Sequence, residues 1–171
     1  MSKKVLMVLA PRNFRDEEFF EPKEVMENAG IAVFTASSSG RIAESSAGKN
    51  AKVNMKLTEV KVSDYDAIVF VGGSGAAIYF NDTHALNLAK EFYSAGKVVA
   101  AICIAPTILV NAGLLDGKRA TSLPSEEKKI AAVGTYTGTE VEIDDRIVTG
   151  KRPSAAKEFG RAIVNAINRR R

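Results

Sequence analysis

Five short, almost purely apolar runs alternate with longer amphipathic stretches along this chain, and that alternation constrains the fold more than any other feature. Residues 5–10, 31–36, 67–71, 98–102 and 147–149 are too short for helices and too uniformly apolar for half-exposed strands. They predict strands buried on both faces, as in a parallel sheet. Between them, residues 17–29, 85–95, 105–112 and 155–168 carry apolar side chains at helical spacing, three of them closed by Gly30, Gly96 and Gly113. Repeated strand–helix alternation implies the α/β class, a three-layer α/β/α sandwich with a mostly parallel sheet. Edge hairpins are expected around 39–56 and 141–148.

At 171 residues the chain fits one domain spanning 1–171, with 46% hydrophobic and 26% charged residues. Cys103 is the only cysteine, so no intramolecular disulfide forms and a cytoplasmic location is the expectation. Five of the 24 basic side chains are Lys3, Lys4 and Arg169 to Arg171, leaving 19 against 20 acidic ones in the body. The net +4 is therefore a property of the ends, with no interleaved aromatics, and a nucleic-acid partner is not expected. The longest apolar run, 98–105, is far short of the ~20 residues a membrane span needs. No histidine or cysteine pair exists to build a transition-metal site, so neither metal nor cofactor is expected.

In sheets of this kind ligands sit beyond the carboxyl ends of the strands. Three segments there carry chemistry. Cys103 lies between the strand 98–102 and a helix whose first turn suits Pro106, the geometry of a strand-to-helix elbow. Such a turn holds a side chain out beside a helix N-terminus, where a thiolate is stabilised and its pKa lowered. The competing reading is a small buried hydrophobe. Gly72-Gly73-Ser74-Gly75 follows the strand 67–71, and its glycines let backbone N–H groups turn inward, as an oxyanion site requires or as a simple turn allows. Glu18 stands four residues before Pro22, which has no N–H for the Glu18 carbonyl and is expected to bend the helix. Asp16 and Glu17 suit a helix start, but Phe19 and Phe20 follow Glu18 and would raise its pKa if it faced an apolar pocket. His84, the only histidine, belongs to a turn and cap before the helix 85–95 and is expected to be exposed.

Taken together, these segments resemble the ThiJ/PfpI superfamily, whose members include deglycases, stress-response chaperones and intracellular proteases. The resemblance rests on Glu18 before Pro22, Val71-Gly72-Gly73, Ala101-Ile102-Cys103-Ile104-Ala105-Pro106, the stretch from Ala112 to Lys118 and the closing Val148-Thr149-Gly150-Lys151-Arg152-Pro153. It implies a flavodoxin-like sandwich with Cys103 as elbow nucleophile and Glu18 hydrogen-bonded to its sulfur. Backbone N–H groups near Gly72, Gly73 and Ile104 would form the oxyanion pocket. The resemblance also implies at least a homodimer.

Two positions depart from the family pattern. Ile104 stands where the protease-like branch carries histidine after the cysteine, and Leu123 stands where the glyoxalase-like branch often carries one in Thr121-Ser122-Leu123-Pro124. The expectation is a cofactor-independent enzyme acting on a small carbonyl or glycated substrate. A redox-responsive or chaperone-like protein with an oxidisable cysteine is the alternative, and a cysteine peptidase is a weaker one without a paired histidine.

Overall fold

The structure, a computed structural model, describes residues 2–169. Twelve strands are formed: β1 Lys4–Val8, β2 Arg12–Phe14, β3 Ala32–Ser37, β4 Ile42–Ser45, β5 Asn50–Lys52, β6 Met55–Lys56, β7 Ala67–Phe70, β8 Val98–Ile102, β9 Arg119–Ala120, β10 Thr135–Tyr136, β11 Val141–Asp144 and β12 Ile147–Gly150. The α-helices are α1 Asp16–Asn28, α2 Thr83–Ser94, α3 Pro106–Asn111, α4 Glu127–Ala131 and α5 Ala156–Arg169. Seven strands make one sheet in the order β11-β12-β8-β7-β1-β3-β6, parallel throughout except for β11.

Period-two alternation along the central strands explains the two layers of helices. Val5, Met7, Val69, Ala100 and Ile102 point to one core, which Phe19 and Met26 of α1 and Phe159, Ile163 and Ile167 of α5 complete. Leu6, Val8, Ile68, Phe70, Val99 and Ala101 point to the other, against Leu88 and Phe92 of α2 and Ile108 and Leu109 of α3. Both faces of β1, β7 and β8 are thus buried, as their continuous apolar runs predict.

The hairpin at 141–148 forms as expected, with β11 antiparallel to β12. The one at 39–56 differs. Its strands β4 and β5 do pair antiparallel, but β4 joins β2 rather than the main sheet, giving a separate three-stranded sheet. The loop after β1 supplies the alternative edge: Glu44 N–H donates to the Pro11 carbonyl at 2.9 Å, and Ser46 N–H to that of Phe14 at 2.9 Å. Only Met55–Lys56 reaches the edge of the main sheet, parallel to β3. The helix expected at 105–112 shortens to six residues.

Helix α1 runs on through buried Pro22, and α5 presses onto it there. A Cβ added at Gly160 would stand 3.0 Å from the Pro22 Cα and 3.1 Å from the Val25 Cβ, tighter than side chains normally pack. Gly160 therefore sets how deeply α1 sits, and with it Glu18. Gly160→Val should force the two helices apart and destabilise the fold by about 2 kcal/mol. Urea unfolding of the variant beside wild type measures the loss.

Candidate active site

Cys103 terminates β8 at φ 68°, a left-handed conformation that a non-glycine residue rarely adopts and that strand-to-helix elbows impose. Neighbouring backbone holds it there. Its N–H donates to the Gly150 carbonyl of β12 at 3.0 Å, and its carbonyl accepts from Leu123 N–H at 2.9 Å. The side chain is buried, with 7% of the residue exposed.

The loop after β7 closes on this turn because two residues lack a Cβ. Gly73 sits at φ 103°, and a side chain there would strike the backbone of Asn13 and Phe14 at 2.6 and 2.8 Å. A Cβ on Gly72 would collide with the Glu18 Oε1 atom and lie 2.6 Å from the Cys103 Cβ. The Gly72 carbonyl accepts the Arg15 N–H at 3.0 Å, tying the loop to the start of α1. Three segments remote in sequence thus meet around one sulfur, with the backbone N–H groups of Gly73 and Ile104 acting to favour its charged form.

Glu18 is fully buried, and neither carboxyl oxygen meets a partner in full hydrogen-bond geometry. The Cys103 thiol is the group that faces it. Burial pushes the Glu18 carboxyl up to about 7, opposed by the thiol and by the positive charge of Arg15. That direction agrees with the sequence expectation.

The thiol goes the other way from expectation. Burial, and then the negative charge of Glu18, push Cys103 up to about 12, against the N–H groups of Gly73 and Ile104. A helix N-terminus was expected to lower it, but α3 has only six residues and begins three positions beyond the sulfur, too little dipole to offset desolvation beside a carboxylate. Above about 7 and below about 12, the pair therefore keeps one proton between carboxyl oxygen and sulfur. A carboxylate that accepts protons near neutrality, placed against a thiol, has the chemistry to serve as a general base for that thiol.

Arg15 is the site residue that sequence reasoning passed over. Three residues before Glu18, it lies on the same side of the helix start, and its charge acts on both Glu18 and Cys103. Its guanidinium forms a two-pronged pair with Glu17 at 3.0 and 3.1 Å. A cleft of about 590 Å³ opens alongside, lined by Arg15, Glu17, Phe20, Glu21 and Lys49 among others, but Cys103 does not line it. The cleft neighbours the buried Cys103–Glu18 pair without including the sulfur.

His84 is exposed in the first turn of α2, where Asp82 rather than the histidine caps the helix. It takes no part in the contacts of Cys103. Among the described residues no group of three or more His, Cys, Asp or Glu side chains is placed to hold a metal, and no helix is long and apolar enough to cross a membrane.

Because Glu18 is raised from 4.5 to about 7, the folded state holds its proton more tightly than the unfolded chain. This stabilisation is complete below 4.5 and is lost as pH rises through about 7, amounting to about 3 kcal/mol. Denaturant unfolding across that window should show stability falling with pH in wild type and a flatter profile in Glu18→Gln.

Three known proteins are similar to this chain across nearly their whole length. The ThiJ/PfpI domain protein from Brachyspira murdochii superposes with a TM-score of 0.96 at 31% identity, covering 98% of each chain. YraA of Bacillus subtilis, named as a candidate cysteine protease, is 31% identical over 98% of this chain and 99% of its own. A deglycase of Pyrococcus abyssi is 29% identical over 95% of this chain and 98% of its own. The model of the DJ-1/PfpI family matches residues 3–166. With a flavodoxin-like sandwich, an elbow cysteine in left-handed conformation and that match along almost its full length, this chain belongs to the DJ-1/PfpI family.

Proposed function

We propose that this protein is a cofactor-independent enzyme that converts reactive 2-oxo aldehydes, or their adducts, into hydroxy acids through Cys103 and Glu18. One observation carries the reading: a buried carboxyl with a pKa of about 7 faces a buried thiol. The similarity to a deglycase adds weight.

With methylglyoxal as the example, the ionised Glu18 carboxylate takes the Cys103 proton as Sγ bonds to the aldehyde carbon. The carbonyl π electrons move onto oxygen, beside the N–H groups of Gly73 and Ile104 that already face the sulfur. Glu18 returns its proton to that oxygen, giving a hemithioacetal. As carboxylate again, Glu18 removes the hydrogen on the carbon bonded to sulfur; that proton is delivered to the neighbouring carbon, and the hydroxyl proton passes to the neighbouring carbonyl oxygen. The first carbon is oxidised to a thioester and the second reduced to an alcohol, so no external redox partner is needed. Water then cleaves the thioester, its hydroxyl going to the acyl carbon and its proton to sulfur, which yields lactate and restores the thiol.

Peptide cleavage fits these residues less well. Amide cleavage needs an acid for the leaving amine, normally the imidazole that also activates the thiol. Ile104 stands where the resemblance to the protease-like branch implies a histidine, Leu123 is not one either, and His84 is exposed on α2.

Lactate formation from methylglyoxal is expected with wild type and should fall at least about 100-fold in Cys103→Ala. Unchanged turnover in that variant would overturn the reading. Alkylation of Cys103 by iodoacetamide tests the base directly. The wild-type rate should rise with pH through about 7, as Glu18 ionises and accepts the thiol proton. Glu18→Gln should lose that inflection and show one at higher pH, but below the wild-type thiol's about 12, because the carboxylate charge that raises Cys103 is gone.

A further inference from the structure

Arg15 breaks a local rule of helix formation. It is the N-cap of α1, a position that favours Ser, Thr, Asp or Asn, and its side chain caps nothing. A cation there also opposes the helix dipole. Its backbone, however, joins the segments that frame the buried pair: the Arg15 N–H donates to the Gly72 carbonyl at 3.0 Å, and the Arg15 carbonyl accepts the Glu18 N–H at 3.1 Å. The side chain lines the cleft, where its guanidinium forks onto Glu17. The two side chains of that fork are 46% and 39% exposed, so the ion pair itself adds little stability. A residue that disfavours its own helix start and contributes so little to the fold points to a task at the neighbouring site.

Glu18 is the group within reach of that charge. Acting on it are Cys103 from the elbow and, from its own helix, Arg15 and Glu17. Lys49, which lines the same cleft from the turn between β4 and β5, acts on Glu17, and α5 adds no charge to Glu18 among the described residues. Arg15 favours the Glu18 carboxylate and Glu17 opposes it, with Arg15 the stronger of the two. We propose that Arg15 is a positioning residue for the carbonyl chemistry above: its guanidinium, steadied by Glu17 at the cleft wall, keeps on Glu18 the charge needed to take the Cys103 proton. This rests on the proposed role of Glu18 for turnover, but the effect of the charge is measurable without any turnover.

Carbon-13 NMR of the Glu18 carboxyl, assigned by its loss in Glu18→Gln, gives the titration midpoint directly. Arg15→Gln should raise that midpoint by about half a pH unit, Arg15→Lys should leave it near wild type, and Glu17→Gln should lower it by a similar or smaller amount. The backbone contacts of residue 15 survive these substitutions, so the charge is tested by itself. Alkylation of Cys103 by iodoacetamide at pH 7 should fall about twofold in Arg15→Gln and rise in Glu17→Gln. Urea unfolding at pH 5, where Glu18 keeps its proton, should show no loss of stability in Arg15→Gln; a loss there with an unmoved midpoint would assign Arg15 to the fold instead and overturn the proposal. A midpoint that moves equally in Arg15→Gln and Arg15→Lys, or with the same sign in Arg15→Gln and Glu17→Gln, overturns it as well. If the midpoints move as stated but wild type does not turn over methylglyoxal, the carbonyl-enzyme reading falls while the hold of Arg15 on Glu18 stands.

Discussion

The arrangement depends on the missing Cβ of Gly72. Glu18 Oε1 and the Cys103 Cβ occupy the space a side chain there would fill. Neither could approach the other across an alanine. Everything else holds that contact in place. Gly150 and Leu123 pin the elbow at φ 68°, Arg15 N–H anchors the glycine loop, and Gly160 lets α5 press α1 inward. Strain at a single non-glycine residue persists because the surrounding hydrogen bonds determine it more than once.

Burial then sets the electrostatics. Removing both groups from water disfavours both charges, so carboxyl and thiol rise together, and the carboxyl loses its proton first. The resting state is a thiol beside its own base rather than a free thiolate. In the proposed reaction such a thiol would lose its proton as the carbon–sulfur bond forms, with the acceptor already in position. Two N–H groups already directed at the sulfur need no reorganisation when negative charge develops on an adjacent oxygen.

Much of the fold is legible in the residues themselves. Uninterrupted apolar runs can only be strands covered on both sides, and glycine stops divide the helices between them, so the layers and the parallel sheet follow. The hairpin at 39–56 was misplaced because its pairing partner, Arg12–Phe14, is three residues long, includes Asn13 at φ 61° and carries no readable periodicity. Short strands of this sort, β9 and β10 among them, are fixed by the strand they pair with elsewhere in the chain and not by their own pattern.

The sequence by itself singled out residues that the fold brings together: a lone cysteine at a strand-to-helix junction, a glutamate ahead of a helix proline and a glycine pair ending a buried strand. It also pointed to a raised pKa for Glu18 if that residue faced an apolar pocket, as the two phenylalanines that follow it suggest, and burial in the fold supplies that rise. The direction of the thiol shift was decided by tertiary structure alone. A helix start beside Cys103 argues for a lowered pKa when only neighbours in the chain are counted, but the charge of Glu18 arrives from α1, 85 positions earlier, and the desolvation comes from burial in the core. Burial and a remote carboxylate are sums over the whole folded surround, and no local window of residues contains them.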